Sequence, residues 1–241
     1  MTIDRRRAVG FDPDYFAQQA ARGRPLSPAE AFRHAFQANL WGGAESPSGP
    51  GASLRQTTTL GRLLPDLCRR WSVRRLLDLP CGDAHWMAAV ALPGLSYFGA
   101  DLVPEVVARA AADNPHPDRR FGQLNLTTDP LPSADLLLCR DCLVHLSFAD
   151  ARRALANIRR SDITYLLTTT FPAESTNLDV VTGDWRPLNL LRPPFGFPEP
   201  LELLVEGCTE QQGLFADKSL GLWRVADLPP EGNQATPTGR G

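Results

Sequence analysis

From residue 73 onward, hydrophobic residues fall into short runs, and each run but the last is followed by a segment with helical periodicity. A repeated order of strand and helix is typical of a parallel sheet, because parallel neighbours need a long crossover connection. From residue 73 onward, the pattern therefore predicts a doubly wound α/β architecture. Its strand and helix segments are VRRLLDL then DAHWMAAVAL, SYFGADL then PEVVARAAADN, DLLLC then SFADARRALANIRRS, and TYLLTTTF.

The region before this alternation predicts two helices joined by a loop. Ser27, a following proline and Glu30 form a capping-box sequence that starts a helix over about residues 28–40. The next stretch, WGGAESPSGPGASLRQT, is rich in glycine, proline and serine and predicts a loop, after which leucines recur at helical spacing. Near the C-terminus, leucine-rich runs separated by a proline-rich loop predict antiparallel strands that complete the sheet.

No internal repeat and no long linker divides the sequence, so we expect one domain over residues 1–241. Residues 1–26 are polar and weakly patterned, and they predict a weakly ordered arm. Residues 27–72 are predicted to form a helical lid over the core, which we place at residues 73–228. The remaining segment, residues 229–241, has the composition of a disordered tail.

Composition places the chain among ordinary globular proteins. Of its 241 residues, 43% are hydrophobic and 22% are charged, and the formal net charge is −2. This balance disfavours a nucleic-acid partner, because such proteins usually carry a basic surface. No apolar run has the length of a membrane span, and no signal-peptide pattern is visible, which together with the odd number of cysteines predicts a cytoplasmic protein with no membrane partner.

The cysteine spacing does not predict a metal site. Cys139 and Cys142 match C-x-x-C, a spacing shared by redox and zinc sites. However, Cys139 ends an apolar strand, and no second pair of cysteines or histidines stands at ligand spacing. We expect buried thiols and no bound metal.

The segment LLDLPCGDAHWM, residues 76–87, carries the strongest chemical signal. Its strand ends at Asp78 and leads through a tight turn into a predicted helix, so backbone N–H groups and a positive helix end would face an anion. A second strand ends at Asp101, close to the roughly 20-residue spacing at which an acid binds ribose hydroxyls. These features predict a nucleoside cofactor. Pro80 and Ala84 replace the outer glycines of G-x-G-x-x-G, which disfavours a dehydrogenase.

These residues resemble the first motif of class I S-adenosylmethionine-dependent methyltransferases, with proline in place of the first glycine. The resemblance covers residues 35–228 and indicates a bacterial natural-product subgroup that shares LLDLPCGDxxWM, ADL, LCRDCLVHLSF and YLLTTTFP. It implies a Rossmann-like methyltransferase fold with a mostly parallel seven-stranded sheet, an N-terminal helical lid and C-terminal antiparallel strands. It also implies S-adenosyl-L-methionine as the cofactor and S-adenosyl-L-homocysteine as its product.

The resemblance assigns cofactor contacts to the ends of the predicted strands. Asp78 and the turn after it would meet the amino-acid moiety of S-adenosylmethionine, and Asp101 would bind its ribose. Asn125 stands where the family often carries an acid, and its side-chain carbonyl is expected to accept a hydrogen bond from the adenine. The residues implied to bind the cofactor are Trp41, Ser48, Asp78, Pro80, Cys81, Gly82, Asp101, Leu102, Asn125, Leu126 and Arg140.

His145 is the first candidate for a catalytic base, since it follows the fourth strand at the mouth of the predicted site. An imidazole suits proton transfer near neutral pH, and a structural histidine that donates to a backbone carbonyl is the alternative. Glu199 is the second candidate for the base. Trp185, Arg186 and Phe195 lie in the C-terminal part of the chain, where the family is expected to bind its substrate.

The methyl acceptor is predicted to be a small molecule, because the chain lacks the N-P-P-[YF] sequence of DNA and glutamine methyltransferases. A fainter similarity to the indole carbon-3 methyltransferases of physostigmine biosynthesis implies C-methylation of an indole, followed by closure to a pyrroloindoline. Within the family, O- or N-methylation of another small aromatic metabolite is the alternative. Outside it, a nicotinamide-dependent oxidoreductase and a non-catalytic nucleoside-binding module remain open.

Overall fold

A computed structural model describes residues 12–230, in which helices and strands alternate as the hydrophobic pattern predicts. The helices are α1 (Tyr15–Ala21), α2 (Pro28–Ala38), α3 (Leu54–Arg70), α4 (Pro104–Asp113) and α5 (Phe148–Arg159). The strands are β1 (Arg75–Asp78), β2 (Ser96–Asp101), β3 (Arg119–Gln123), β4 (Ala134–Cys139), β5 (Ile163–Thr170), β6 (Glu202–Val205) and β7 (Ser219–Arg224).

The strands form one sheet of seven in the order β3-β2-β1-β4-β5-β7-β6. Strands β1 to β5 are parallel, while β7 is antiparallel to both β5 and β6. The predictions of a doubly wound, mostly parallel seven-stranded sheet and of C-terminal antiparallel strands are confirmed. The strand order reverses between β1 and β4, and in sheets of this type ligands bind beyond the carboxyl ends of the strands at such a point.

The sheet is covered on both faces because successive side chains of a strand point to opposite sides. On β1, Leu77 belongs to a buried cluster that includes Ile158 of α5. Its neighbour Leu76 belongs to a second cluster, which includes Leu64 of α3. The two hydrophobic cores therefore lie on either side of the sheet and leave its carboxyl edge for polar groups.

The segment after β1 differs from its prediction as a helix. Only a 3₁₀ turn, Met87–Ala89, forms there. The backbone of Gly82 has φ of +56° and that of Ala84 has φ of +52°, whereas an α-helix needs consecutive residues with negative φ. The chain thus crosses the end of β1 as an irregular turn, and no helix N-terminus faces the sheet edge here.

The N-terminal region contains more structure than its polar composition indicated. Residues 15–21 form α1, and its first turn is fixed by Asp184, whose carboxylate accepts hydrogen bonds from the N–H groups of Phe16 (2.7 Å) and Ala17 (2.9 Å). The segment predicted to be a weakly ordered arm thus includes one short helix. The rest of that prediction, over residues 1–11, and most of the predicted tail, over residues 231–241, lie outside the described residues.

Helix α2 begins where the capping sequence placed its start. The side chain of Ser27 accepts a hydrogen bond from the backbone N–H of Glu30, and the Glu30 carboxylate accepts one from the backbone N–H of Ser27. Across residues 12–230, no helix is both long enough and apolar enough to cross a membrane.

Candidate active site

A first cavity opens at the carboxyl ends of β1, β2 and β4, where the strand order reverses. Every residue that the resemblance assigned to the cofactor lines this cavity, and so does His145. Most of the remaining lining is apolar and includes residues of α2, α4 and the loop after β3. The strand ends thus bring Asp78, Asp101 and Arg140 together although they are far apart in sequence.

Asp78 is a buried carboxylate at the end of β1. Its Oδ2 accepts a hydrogen bond from the hydroxyl of Tyr97 (2.7 Å), and within residues 12–230 no cation lies at ion-pair distance from it. Burial raises the pKa of Asp78 to about 7, and the Tyr97 hydrogen bond and the more distant Arg140 offset only part of this shift. The first cavity therefore holds a carboxylate that a positively charged ligand group would stabilise.

This raised pKa predicts how stability depends on pH. The folded-state pKa of Asp78 exceeds its ordinary value of 3.8, so folding takes up a proton between about pH 4 and pH 7 and the wild type loses stability as pH rises. We expect the unfolding free energy of the wild type, measured relative to that of Asp78→Asn, to fall by on the order of 4 kcal/mol between these pH values. Urea unfolding of both proteins at several pH values measures this difference, and parallel curves would contradict it.

Asp101, at the end of β2, organises the turn after β1. Its carboxylate accepts hydrogen bonds from the backbone N–H of Gly82 (3.2 Å) and of Val103 (3.0 Å). Burial raises the pKa of Asp101 to about 6, and these backbone donors limit the shift. One side chain thus joins the two strand ends and still lines the first cavity.

The turn amides have partners within the protein. The N–H of Cys81 donates to the carbonyl of Ala100 (2.7 Å), that of Gly82 donates to Asp101, and that of Asp83 donates to Ser48 Oγ (3.2 Å). The expectation that this turn offers free amides and a positive helix end to the cofactor is therefore corrected. The carboxylates, rather than the amides, are the available polar groups.

Ser48 and Ser46 hold the segment before α3 against this turn. Ser46 Oγ donates to Asp83 Oδ1 (2.7 Å), and Ser48 Oγ donates to the same oxygen (3.2 Å). A Cβ added to Gly82 would lie 2.2 Å from Ser48 Oγ, and the φ of +56° also disfavours any side chain. The turn can therefore approach the segment only with glycine at this position.

Asn125 lines the first cavity, but its side-chain oxygen has partners already. Oδ1 accepts hydrogen bonds from the backbone N–H of Thr127 (2.9 Å) and from its hydroxyl (2.7 Å), which is an Asx turn. These bonds shape the loop after β3, and the contact of Asn125 with an adenine amino group stays a prediction. Leu102 and Leu126 provide apolar surface on the same wall.

A second cavity, of about 440 Å³, adjoins the first. Phe171, Trp185 and Phe215 line it as a cluster of edge-to-face rings whose centroids are 4.9 to 6.0 Å apart. This volume suits a small organic molecule. Four residues line both cavities and are called the junction residues below: Trp41, Ser48, Asp141 and His145.

His145 is held at the junction by its Nδ1, which lies 3.0 Å from the carbonyl oxygen of Asp184. A carbonyl only accepts, so Nδ1 carries the proton and Nε2 is left as an acceptor. Burial lowers the pKa of His145 to about 4, although the nearby Asp141 opposes this shift. The imidazole is therefore neutral near pH 7. A hydrogen bond to a backbone carbonyl is expected for a purely structural histidine, but here the same bond also leaves Nε2 as a proton acceptor.

Asp141 is half-buried and belongs to a group of four charges whose other members, Arg140, Glu206 and Lys218, are buried. Its Oδ2 lies 2.6 Å from Lys218 Nζ and 3.3 Å from Arg140, and Glu206 pairs with Arg140 (2.7 Å) and with Lys218 (3.7 Å). Burial alone would raise the pKa of Asp141, but the two cations hold it well below its ordinary value. Asp141 also has φ of +50°, a conformation that costs energy outside glycine and that is concentrated at functional sites.

Arg140 lines the first cavity, but its guanidinium already has partners within the protein. Besides its pairs with Asp141 and Glu206, it donates to the carbonyl of Gly51 (2.9 Å), and its charge lies over the Trp86 ring at 5.7 Å. We conclude that Arg140 shapes the site by holding Asp141 and the segment before α3 in place.

Three of the residues that were expected in the active site line neither cavity. Glu199 is exposed and lines neither cavity, so it is corrected as a candidate base. Phe195 is buried in a hydrophobic core, where its ring packs edge-to-face on Phe148. The guanidinium of Arg186 donates to the carbonyls of Leu143 and Leu146 (both 2.6 Å) and so supports the 3₁₀ turn that carries His145.

The second cavity also contains residues that the sequence did not identify. Only Trp185, of the three expected substrate residues, lines it. Phe171, Phe215, Glu210 and Lys218 were missed because they come from the end of β5 and from the loop before β7. One available signal was that Lys218 is the only lysine in the chain. Within residues 12–230, no three histidine, cysteine or carboxylate side chains converge to hold a metal.

Comparison with known protein families identifies a domain in the part of the chain that forms this edge of the sheet. A family model described as a methyltransferase domain matches residues 77–161, from β1 to just after α5. This span contains Asp78, Asp101 and His145 of the first cavity. The match confirms the predicted methyltransferase domain and, for that domain, S-adenosylmethionine as the cofactor. The comparison with curated proteins finds no match.

Comparison with solved structures finds matches at low sequence identity, one of which shares the fold. Human N-acetylserotonin methyltransferase, solved with S-adenosylmethionine, is 16% identical, covers 89% of this chain and 60% of its own, and has a TM-score of 0.52. Magnesium protoporphyrin IX methyltransferase from Synechocystis PCC 6803 is 17% identical, covers 51% of this chain and 58% of its own, and has a TM-score of 0.42. This chain spans less than two thirds of each of these proteins. It carries a methyltransferase domain within a Rossmann-like methyltransferase fold.

Proposed function

We propose that this protein transfers the methyl group of S-adenosylmethionine to a small aromatic molecule. The observation that carries the proposal is the arrangement of two cavities at the carboxyl edge of the sheet, which share the junction residues. A two-substrate transfer needs such an arrangement, because donor and acceptor must meet at one point while each is held separately. The first cavity would take the cofactor, and the second would take the acceptor.

The polar groups of the first cavity fit the cofactor. Burial raises the pKa of the Asp78 carboxylate, and no cation of the described chain lies at ion-pair distance from it, so the ammonium group of the cofactor would supply a missing partner. Asp101 is a second carboxylate, at the β2 position that suits ribose hydroxyls. Leu102 and Val103 add apolar surface for the adenine. When bound, S-adenosylmethionine supplies a methyl group that is already activated by its sulfonium.

The residues of this chain then have to align the acceptor and exclude water. Orientation of this kind can lower a barrier by on the order of 7–11 kcal/mol. Trp41 and Ser48 close the junction, and their segment is attached to the turn after β1 through Asp83. We therefore assign the loop over residues 41–53 as a lid. His145 Nε2 is the acceptor for any proton that the methylated group releases.

The second cavity favours a flat aromatic acceptor over an aliphatic one, because the rings of Phe171, Trp185 and Phe215 line it together. We propose a natural-product precursor, and among these an indole methylated at carbon 3, which the fainter sequence similarity supports. Methylation at that carbon leaves an iminium, which a side-chain amine in its neutral form can attack to close a pyrroloindoline with release of one proton. O- or N-methylation of a different small aromatic metabolite is the alternative at the same site.

Two measurements test this proposal. Calorimetry on the full chain is expected to detect one equivalent of S-adenosylhomocysteine per protein. Incubation with methyl-labelled S-adenosylmethionine and a panel of indoles, phenols and amines is expected to give a labelled product by mass spectrometry. Absence of heat with both forms of the cofactor on folded protein overturns the proposal, and so does preferential binding of a nicotinamide cofactor. Cofactor binding without product from any acceptor indicates a non-catalytic module.

A further inference from the structure

Glu210 is a carboxylate in the wall of the second cavity, on the loop between β6 and β7. It is half-buried, and the nearest donor to its Oε2 is the thiol of Cys208, with an Sγ to Oε2 distance of 3.6 Å. Among the described residues, no cation lies within ion-pair distance of this carboxylate. Thiols are weak hydrogen-bond donors, so the negative charge of Glu210 is left for a partner from outside the chain.

The cations near Glu210 are already paired. If Gly51 carried a Cβ, that atom would lie 3.5 Å from Glu210 Oε2, Lys218 Nζ and Asp141 Oδ2, so all three groups surround the same space. Lys218 is bound by Asp141 and Glu206, and Arg140 is bound by the same two carboxylates. This group of four has no net charge. Glu210 therefore adds an unbalanced negative charge to the inner wall of the cavity.

One further cation, Arg55, lines the second cavity from the first turn of α3. Its side chain is exposed, so water solvates and screens its charge. The half-buried carboxylates of Glu210 and Asp141 and the buried ammonium of Lys218 are screened less. The charge of Glu210 is therefore screened less by water than that of Arg55, and Arg55 does not cancel it inside the cavity.

The loop that carries Glu210 is held in a costly conformation. Gln211 and Gln212, the next two residues, have φ of +45° and +60°. The loop is anchored to α3 by Gln56, whose amide donates to Thr209 Oγ1 (3.0 Å) and accepts from the Thr209 N–H (3.2 Å). Strained backbone persists where surrounding contacts enforce it, so this loop presents Glu210 in a defined position.

We propose, building on the proposed function, that the acceptor carries a protonated amine beside its aromatic ring, and that Glu210 binds this amine. The rings of Phe171, Trp185 and Phe215 line the same cavity and favour an aromatic body with a nearby cation. The acceptor class is thus narrowed from small aromatic molecules to aromatic amines. Neutral and anionic aromatic molecules of the same size bind more weakly.

Calorimetry on the full chain saturated with S-adenosylhomocysteine tests this inference. The probes are tryptamine and phenethylamine, each compared with its neutral N-acetyl derivative. We expect at least one amine to bind about tenfold more tightly than its acetylated form, as for a charge-assisted hydrogen bond. Glu210→Gln should abolish this preference, whereas Glu210→Asp should retain part of it. The control Glu199→Gln, an exposed carboxylate outside both cavities, should leave it unchanged.

The possible outcomes separate this inference from the proposed function. Equal binding of amines and acetylated forms overturns the inference, and so does an amine preference that survives in Glu210→Gln. Failure of both amines to bind overturns it as well, while binding of S-adenosylhomocysteine in the same experiment keeps the proposed function intact. Failure of S-adenosylhomocysteine to bind counts against the proposed function, and the amine preference is then measured on the protein alone. Thermal unfolding of each variant confirms that it is folded.

Discussion

Replacing Asp101 with alanine should weaken the binding of S-adenosylhomocysteine by about 100-fold. Hydrogen bonds to a charged acceptor are worth roughly 1.5–3 kcal/mol each, and about 1.4 kcal/mol corresponds to tenfold in affinity. The change removes the carboxylate that we assign to the ribose hydroxyls, and it also frees the N–H of Gly82 that this carboxylate holds at 3.2 Å. Asp101→Asn keeps a neutral acceptor oxygen and should have an intermediate effect. Calorimetry measures the three dissociation constants.

A second ligand separates the ribose contact from a general loss of site structure. Methylthioadenosine contains the nucleoside of the cofactor but not its amino-acid moiety. Asp101→Ala should weaken both ligands to a similar degree, whereas Asp78→Asn should weaken S-adenosylhomocysteine alone. Asp113→Ala, at the exposed end of α4, is the matched control and should change neither affinity. Unchanged binding of both ligands to Asp101→Ala would remove this residue from the ribose site.

The positions of Asp78 and Asp101 could be predicted from the sequence because simple patterns indicate where strands end. The period of hydrophobic residues changes at the end of each strand, and in a parallel sheet all carboxyl ends lie at one edge. Asp78 and Asp101 could therefore be placed beside each other without knowing any loop. The same reasoning placed Arg140 and His145 at this edge, after β4.

The turn after β1 shows where such patterns fail. Its composition, from Asp83 to Leu92, includes alanine, tryptophan and methionine, which are compatible with a helix. The conformation is instead decided by tertiary contacts, in which Ser48, Asp101 and Ala100 each engage a backbone amide of residues 81–83. Contacts between segments so far apart in sequence leave no local signal.

The acceptor side was the hardest part to predict for a related reason. It is built from irregular segments after β5 and before β7, whose course no periodicity describes. Arg186 and Glu199 were chosen by their chemical type, yet one supports three backbone carbonyls and the other faces solvent. Charged residues in loops are more often solvated or structural than in contact with a ligand. In these loops, residue type alone therefore does not identify the residues that bind a ligand.

His145→Gln should lower turnover by about 10²- to 10⁴-fold, which is the usual contribution of a positioned general base. Glutamine preserves much of the side-chain volume but cannot take up a proton. The affinity for S-adenosylhomocysteine should change little, because the carboxylates of Asp78 and Asp101 are untouched. Turnover is measured with the acceptor that the labelled-methyl panel identifies, and calorimetry measures the affinity. His116→Gln, an exposed histidine outside both cavities, should match the wild type in both measurements.

The pH dependence of the same variant distinguishes a base from a structural histidine. Burial lowers the pKa of His145 to about 4, so the imidazole is neutral and able to accept a proton throughout the range above about pH 5. At saturating S-adenosylmethionine, where the cofactor already occupies Asp78 and Asp101, kcat/KM for the acceptor should stay level down to about pH 5 and decline as pH approaches 4, as Nε2 becomes protonated. The residual activity of His145→Gln should lack this decline. A structural histidine would instead lower thermal stability when replaced and leave the pH profile unaltered, and full turnover in His145→Gln would exclude it as the base.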